Sequence, residues 1–345
     1  MTPEQTLPAP SRAAALSELM FPSTPRCLAL AAEYRIAELL AEGPMAVADL
    51  AARAYVEPGP LHKVLALLTE DGVFEETEPG VFANTPLSEL LQADIPGSMH
   101  AMARMVGSPW LWDSWGALDH SLATGRPAFR KVHGTALWPW LQEHPDEARM
   151  FNRAMTDFTE ALSDALVAAY PEFATMSAVC DLGGGEGTFL ATILDTYPSL
   201  GRGVLADLPP VIEQARKHPQ VMPLVEQGRF DFAAADFFSQ VPVGIEAYVT
   251  KQVMHSWPDA ALVRLLRRCR ETSPGARFVA AEMVHHDGVA RFVKNFDLVM
   301  LATMSGQVRD ERQFADLFDQ AGYRLSRIVP TGTAFSLIEA VPHGL

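Results

Sequence analysis

The chain has 345 residues, of which 48% are apolar, and 42 acidic against 27 basic residues give a net charge of −15. This length suggests two domains, and the composition is typical of a soluble globular protein. Because nucleic-acid-binding proteins usually present a basic face, the acidic balance argues against DNA or RNA as a partner.

The cysteines and the first ten residues indicate the cellular compartment in which the protein is expected. Cys27, Cys180 and Cys269 are far apart, and this sparse, odd set fits a reducing cytoplasm better than a disulfide framework. Residues 1–10 lack the basic start and the apolar run of a signal peptide. No stretch approaches the ~18 apolar residues of a membrane span. We therefore expect a cytoplasmic protein with no membrane partner.

The first 95 residues predict a compact, mostly helical domain. Apolar residues recur at helical spacing in three segments, residues 26–40, 45–53 and 61–70. Residues 73–76 and 81–83 flank the turn signal Glu78-Pro79-Gly80 and predict a short hairpin. Three helices followed by a small β-wing indicate a winged-helix arrangement, which serves either in DNA binding or in dimerisation.

Residues 96–170 are predicted to be helical and are rich in tryptophan and methionine. Such side chains pack in protein cores, and they also line apolar ligand pockets. We expect this region to link the two ends of the chain and to contribute to a substrate pocket.

Residues 171–345 form a third region, in which short β-rich runs alternate with helices from about Ser177 onward. The predicted strands cover residues 178–182, 203–207, 230–234, 247–250 and 277–282. This alternation predicts a parallel, doubly wound α/β sheet. The last two strands, residues 323–329 and 334–341, are too close for a crossover helix, so the final strand is expected to return antiparallel. A Rossmann-like sheet that ends in such a hairpin is characteristic of methyltransferases.

The first strand leads into the turn Asp181-Leu-Gly-Gly-Gly-Glu-Gly187. Glycines at this place let the backbone turn tightly and approach a ligand. A dinucleotide fold would require the spacing G-x-G-x-x-G, but here the third glycine comes one residue early and Thr188 takes its place. A carboxylate at Asp181 would repel a pyrophosphate and attract the ammonium of a methionine group. The turn therefore favours S-adenosylmethionine over NAD.

Two further acids end the next two strands. Asp207 lies about 20 residues past the turn, where a carboxylate accepts hydrogen bonds from ribose hydroxyls. Asp236 and Phe237 follow the third strand, where a carboxylate and an aromatic face suit an adenine. The ordered set of acids at strand ends is a much stronger indication than any one of them.

The candidate for acid–base chemistry is His255, which follows the fourth strand in the segment Lys251-Gln-Val-Met-His-Ser-Trp257. Histidine side chains accept protons near neutral pH. Glu282 ends the fifth strand, and a carboxylate bonded to the far ring nitrogen would orient the imidazole and raise its basicity. His285 and His286 are adjacent on an extended chain and point oppositely, so we expect no metal site there.

The chain resembles the S-adenosylmethionine-dependent small-molecule O-methyltransferases of the plant caffeate and bacterial polyketide type. The matching segments are Asp181-Leu-Gly-Gly-Gly-Glu-Gly-Thr, Asp207-Leu-Pro-Pro-Val-Ile, Asp236-Phe-Phe, Met254-His-Ser-Trp, Asn295-Phe-Asp-Leu-Val-Met and Phe151-Asn-Arg-Ala-Met. Together with the winged-helix start, the resemblance covers nearly the whole chain. It implies a class I methyltransferase domain, a homodimer formed through the N-terminal helices, and a hydroxylated acceptor of secondary metabolism, as in antibiotic biosynthesis.

The resemblance also implies roles for individual residues. His255 would be the general base, and Glu282 would support it. The implied cofactor contacts are Arg153, Asp181, Gly183, Gly185, Asp207, Leu208, Asp236, Phe237 and Lys251. The candidates for contact with an apolar, planar acceptor are Trp112, Met155, Phe158, Met254, Asp297 and Met300.

One position departs from the plant-type pattern, in which a Glu-Arg-Thr triplet supplies a second carboxylate beside the histidine. Here Val308 stands where that glutamate would be. This departure keeps two alternatives open on the same scaffold, methyl transfer to nitrogen or carbon and use of the cofactor without methyl transfer. A winged-helix transcription regulator is a more remote alternative, disfavoured by the acidic balance and the complete cofactor motif.

Overall fold

The computed structural model describes residues 12–286, 288 and 290–344; residues 1–10, for which no signal peptide is expected, lie outside this part. The chain divides into two compact units, Met1–Ser108 and Pro109–Leu345. The first unit runs past residue 95 because its last helix packs closely on an earlier one. A Cβ added at Gly107 would lie 2.1 Å from the Cβ of Ala29, and Arg26 donates a hydrogen bond to the Gly107 carbonyl at 2.7 Å.

The first unit carries helices around a small antiparallel sheet. Its elements are α1 (Arg12–Glu18), α2 (Ser23–Glu33), α3 (Ile36–Leu39), β1 (Met45–Ala46), α4 (Val47–Ala54), α5 (Pro58–Glu70), β2 (Phe74–Glu78), β3 (Val81–Asn84), α6 (Pro86–Glu89) and α7 (His100–Val106). The strands lie in the order β1-β3-β2, with the expected hairpin formed by β2 and β3.

Two details of this unit differ from the prediction. The single helix expected over residues 26–40 is broken, because Arg35 adopts a left-handed backbone with φ 52°. The helix expected to begin at Met45 begins at Val47, because Met45 and Ala46 pair with β3 and form a third strand.

The second unit begins with five helices and continues as an α/β domain. The helices are α8 (Pro109–Gly116), α9 (Leu118–Thr124), α10 (Ala128–His133), α11 (Leu137–Glu143) and α12 (Pro145–Ala168). The remaining elements are β4 (Ala178–Leu182), α13 (Thr188–Thr196), β5 (Arg202–Asp207), α14 (Pro209–Ala215), α15 (Met222–Glu226), β6 (Phe230–Ala234), β7 (Ala247–Lys251), α16 (Asp259–Thr272), β8 (Arg277–Glu282), β9 (Val284–His285), α17 (Arg291–Thr303), β10 (Arg309–Asp310), α18 (Glu311–Gln320), β11 (Tyr323–Pro330) and β12 (Ser336–Pro342).

The large sheet has the order β11-β12-β8-β7-β4-β5-β6. Strands β6, β5, β4, β7 and β8 are parallel, while β12 pairs antiparallel with both β8 and β11. The predicted doubly wound sheet and its closing antiparallel hairpin are therefore confirmed. None of the helices in the described part combines the length and the apolarity that crossing a bilayer requires.

The site is positioned by the two central strands. Every residue of β4 and β7 is buried, as expected for parallel strands covered by helices on both faces. The chain runs from β4 outward to β6 and then crosses back to β7, so the order reverses between β4 and β7. Ligands of open α/β sheets bind at this reversal, beyond the carboxyl ends of the strands. Asp181, Asp207, Lys251 and Glu282 all lie at that edge.

Candidate active site

A pocket opens at the carboxyl edge of β4 and β7. It is lined by the glycine turn after β4, by Lys251 and Gln252 at the end of β7, and by one face of α12. The face of α12 presents residues at helical spacing: Asn152, Met155, Thr156 and Thr159. Thr156 donates a hydrogen bond to Glu186 of the turn at 3.3 Å, which ties the helix to the opposite wall.

The glycine turn makes room for the carboxylate of Asp181. Gly183 and Gly185 have φ values of +73° and +62°, which side chains rarely adopt. A Cβ added at Gly184 would lie only 2.2 Å from Asp181 Oδ2. A glycine at 184 is therefore required for the backbone to cross above this carboxylate.

Asp181 is buried and presents a carboxylate to the pocket. Neither of its oxygens has a hydrogen-bond partner among the described residues. Burial raises the pKa of Asp181 to about 7; the nearby Lys251 opposes this rise and Asp207 adds to it. Burial also lowers the pKa of Lys251 to about 8, against the effect of Asp181 and Glu282. An unpartnered buried acceptor of this kind suits an ammonium group.

Asp207 holds the turn from the neighbouring strand. Its oxygens accept hydrogen bonds from the backbone N–H of Gly185 at 3.0 Å and of Leu208 at 2.7 Å. Burial raises the pKa of Asp207, and these two hydrogen bonds oppose the rise. Since a carboxylate has about four acceptor positions, two remain for ligand hydroxyls.

Phe237 lies beside the same glycine turn, while the side chain of Asp236 accepts a hydrogen bond from the backbone two residues further on. A Cβ added at Gly183 would lie 3.2 Å from the Phe237 ring, so the ring borders the turn. Asp236 accepts a hydrogen bond from the backbone N–H of Phe238 at 2.9 Å, which shapes the chain after β6.

The structure brings His255 and Glu282 into direct contact. His255 Nδ1 lies 2.6 Å from Glu282 Oε2, and Glu282 Oε1 accepts a hydrogen bond from the Met254 N–H at 2.7 Å. Both side chains are buried. A proton on Nδ1 donates to the carboxylate, which leaves the lone pair of Nε2 available to a substrate.

A row of phenylalanine rings begins at this histidine. Phe296 packs edge-on against His255 with a centroid distance of 4.9 Å, and Phe292 follows one turn earlier on α17. Phe158 of α12 contacts Phe292 at 6.3 Å and Phe335 at 5.9 Å. Phe292 is 48% exposed.

Three further residues that were predicted to contact a ligand, Arg153, Met254 and Asp297, are not among the residues that line this pocket. Arg153 does not line the pocket and bonds to Asp157 at 2.6 Å, whereas the preceding Asn152 faces the cavity. Met254 has no exposed surface, packs in the core between sheet and helices, and is not among the residues that line the pocket. Asp297 accepts a hydrogen bond from the Val308 N–H at 2.7 Å.

Two predicted acceptor contacts, Trp112 and Met300, differ in exposure. Met300 is buried at 3% exposure. Trp112 is half-buried, and its indole N–H has no partner among the described residues.

Several residues of the site were not predicted from the sequence. Asn152, Thr156 and Gln252 line the pocket, and the helical spacing of residues 152, 155, 156 and 159 was the signal for the first two. No role was predicted for Phe296, although it lies in the family-like segment Asn295-Phe-Asp-Leu-Val-Met. Gly306 and Arg309 contact the turn that carries His255. Arg309 stands where the Glu-Arg-Thr triplet has its arginine, but no role was predicted for it or for Gly306. Among the described residues, no cluster of three or more histidine, cysteine or acidic side chains could hold a metal ion.

Two family models match the chain. Residues 115–324 match the O-methyltransferase domain, and residues 18–94 match the O-methyltransferase dimerisation domain.

Individual proteins are similar over nearly their full length. A phenazine O-methyltransferase of Lysobacter antibioticus is 36% identical over 320 residues, covering 91% of this chain and 92% of the relative. An 8-amino-8-demethylriboflavin N,N-dimethyltransferase of Streptomyces davaonensis is 33% identical over 313 residues, 89% of each chain. The structure of CalO1, a methyltransferase in calicheamicin biosynthesis with SAH bound, matches with a TM-score of 0.84 and 31% identity, over 97% of this chain and 100% of that one.

Proposed function

The chain belongs to the O-methyltransferase family and is an S-adenosylmethionine-dependent methyltransferase, and on this premise we propose that it methylates a hydroxyl of a small aromatic or polyketide-like secondary metabolite. In this proposal His255 is the general base. The contact between His255 and Glu282 carries it, because a buried, carboxylate-oriented imidazole is the arrangement that removes a proton from an attacking hydroxyl.

The residues that line the pocket and those that border its glycine turn fit the cofactor. The unpartnered carboxylate of Asp181 would bind the ammonium of the methionine group, and Asp207 would bind the ribose hydroxyls. Phe237 would offer a face to the adenine, and Lys251 would keep Asp181 ionised. When bound, S-adenosylmethionine supplies an electrophilic methyl group on its sulfonium sulfur.

The protein's own contribution to the reaction is positioning and proton removal. Glu282 binds Nδ1 of His255 with one carboxylate oxygen and the backbone N–H of Met254 with the other. The opposite ring nitrogen, Nε2, is therefore directed away from the carboxylate. Nε2 accepts the proton as the acceptor oxygen forms its new bond to carbon. Holding oxygen and methyl in line accounts for much of the rate, since the sulfonium methyl is already activated.

The phenylalanine row supports an aromatic acceptor. Phe296 packs against His255, and Phe292 and Phe158 continue the row of rings, so flat apolar surface lies next to the histidine. Planar rings pack on such surfaces in offset or edge-on geometries. The phenazine O-methyltransferase among the relatives points to the same acceptor class.

Nitrogen is the second candidate acceptor atom. Val308 is buried in the apolar core, so position 308 provides no second carboxylate beside the base. A relative at 33% identity is named as an N,N-dimethyltransferase. An arylamine already has a free lone pair and depends less on proton removal, so a single carboxylate would suffice for it.

The first experiment separates these acceptors. The protein is incubated with cofactor carrying a trideuterated methyl group and with paired probes, 1-naphthol with 1-naphthylamine and 1-hydroxyphenazine with 1-aminophenazine. We expect mass spectrometry to show the label on the hydroxylated members and its loss on ether cleavage. Label on the amines alone would replace the hydroxyl proposal, and label in none of the probes would count against methyl transfer to this aromatic class.

We also propose that the protein is a homodimer formed through its N-terminal part. The matched dimerisation domain supports this, as does a run of exposed apolar side chains at Leu16, Leu19, Met20 and Phe21. Residues 1–95 would form the dimerisation domain, residues 96–170 the helical region that contributes to the acceptor pocket, and residues 171–345 the cofactor-binding domain.

A further inference from the structure

The turn that carries His255 is held by backbone contacts in addition to those that Glu282 makes. Residues 254–256 form a single helical turn between β7 and α16. Glu282 binds the N–H of Met254, which is the entry to the turn. The Met254 carbonyl accepts one hydrogen bond within the turn, from the Trp257 N–H at 3.3 Å, and has a second acceptor position to fill. The Trp257 carbonyl, at the end of the turn, needs a partner of its own.

Arg309 supplies those partners. Its side chain is 1% exposed, and Nη1 donates to the Met254 carbonyl and Nη2 to the Trp257 carbonyl, each at 2.9 Å. Nε and Nη2 also donate to Asp259 at 2.9 and 2.6 Å, which anchors the guanidinium to the first residue of α16. One planar group therefore joins the start of the turn to its end.

Gly306 packs against the backbone of His255 itself. A Cβ added at Gly306 would lie 1.9 Å from the His255 carbonyl oxygen and 2.6 Å from the His255 carbonyl carbon. Because both atoms belong to backbone, no side-chain rotation would relieve this overlap. Any larger residue at 306 must displace either His255 or the segment that precedes β10.

We propose that Gly306 and Arg309 are positioning residues for His255, acting through its backbone while Glu282 acts through its ring. The inference rests on the proposed role of His255 as general base. It assigns a function to the segment 306–310, whose Val308 carries no carboxylate. In this chain the segment would fix the position of the His255 backbone, and with it the position of the general base.

The chain offers matched control substitutions. Arg229 binds the carbonyls of Leu194, Tyr197 and Leu200 in the same manner, but it precedes β6 at the opposite edge of the sheet. A Cβ at Gly275 would meet no atom within 4 Å. Arg229→Lys and Gly275→Ala therefore make the same substitutions as Arg309→Lys and Gly306→Ala, but at positions that do not contact the turn of residues 254–256.

The test compares Arg309→Lys and Gly306→Ala with these two controls. The first measurement is kcat, the acceptor KM and the cofactor Kd, with whichever probe the wild type methylates. We expect the two turn variants to lose about 10–100-fold in kcat, because displacement of a reacting group by ~1 Å costs that order of rate. Cofactor Kd should change by less than about threefold, and the controls should keep wild-type kcat.

The second measurement needs no acceptor and therefore separates this inference from the proposed function. Nitrogen-15 histidine spectra of the cofactor-bound protein report the ring tautomer, with the signal of His255 assigned by its loss in His255→Ala. We expect a single Nδ1–H tautomer in the wild type and in both controls, and mixed or shifted signals in the two turn variants. If Arg309→Lys does not fold, Gly306→Ala alone decides.

Three outcomes would overturn the inference. The turn variants could keep both wild-type kcat and the wild-type tautomer, or Arg229→Lys could lose as much kcat as Arg309→Lys, which would indicate a general loss of stability. If the wild type methylates no probe, the proposed function fails, and an unchanged His255 signal in both turn variants would then overturn the positioning role by itself.

Discussion

His255 Nδ1 and Glu282 Oε2 lie 2.6 Å apart, although the two residues are 27 positions apart in the chain. They meet because β7 and β8 are adjacent parallel strands, so the segments that leave their carboxyl ends share one edge of the sheet. The contact is buried, which strengthens it and also makes its loss costly.

Replacing His255 by alanine should lower kcat by ~10²–10⁴-fold, the usual contribution of a general base. The cofactor Kd should stay at the wild-type value, since His255 is not among the residues that line the cofactor pocket. Steady-state turnover and calorimetric titration with S-adenosylmethionine measure the two quantities. Wild-type turnover in this variant would eliminate the general-base role.

Replacing Glu282 by glutamine preserves the shape of the side chain and removes its charge. The amide oxygen can accept from His255 or from Met254 N–H, but the amide nitrogen then faces the other donor. We expect kcat to fall on the order of 10²-fold or more, because the ring loses both its tautomer and its orientation. Turnover within twofold of the wild type would show that the carboxylate is not needed.

Replacing Asp207 by alanine should weaken cofactor binding by at least about tenfold. The change removes the ribose acceptor and leaves the N–H of Gly185 without its partner. Asp231→Ala is the matched control, because Asp231 lies on the adjacent strand and pairs at the surface with Arg202. Equal affinities of the two variants in calorimetry would contradict the assignment of Asp207.

Cofactor affinity should depend on pH through Asp181. Burial raises the pKa of Asp181 to about 7 in the free protein, so below pH 7 the carboxyl is largely protonated. The cofactor ammonium requires the carboxylate, and binding at low pH must therefore expel a proton. Affinity should weaken by up to about tenfold for each pH unit below 7 and level off above it.

Titration calorimetry between pH 5.5 and 7.5, in buffers with different ionisation enthalpies, measures both this slope and the released proton. Asp181→Asn should bind weakly and with no slope over this range. An affinity of the wild-type protein that is flat over this range would show that Asp181 does not bind the ammonium.

Much of the second unit could be predicted from the sequence. The bounds of β4, β6 and β8 match the prediction residue for residue, because each is a short, largely apolar run bounded by turn residues or charges. The pairing of His255 with Glu282 followed from strand order alone. Parallel strands leave the sheet at one edge, so chain order constrained which side chains meet.

Other details of the site could not be predicted, because chain order does not determine the direction of a side chain. Asn152 lines the pocket although no role was predicted for it, since neighbouring positions on a helix point about 100° apart. Met254 is adjacent to His255 but points into the core from a tight turn. Gly306 and Arg309 reach the same turn from about 50 residues away, and contacts at that separation have no periodic signal.

The antiparallel strand β12 has a consequence for how the site comes into being. β12 pairs with β8 along its length, with Ser336 opposite Glu282. A fragment ending before Ser336 would retain His255, Glu282 and the glycine turn, yet it would leave the backbone groups of β8 as an open, apolar edge. Such an edge invites pairing between chains, so the fragment should aggregate. During synthesis, Glu282 would therefore remain on an unpaired edge strand until β12, which contributes no residue to the proposed site, has emerged.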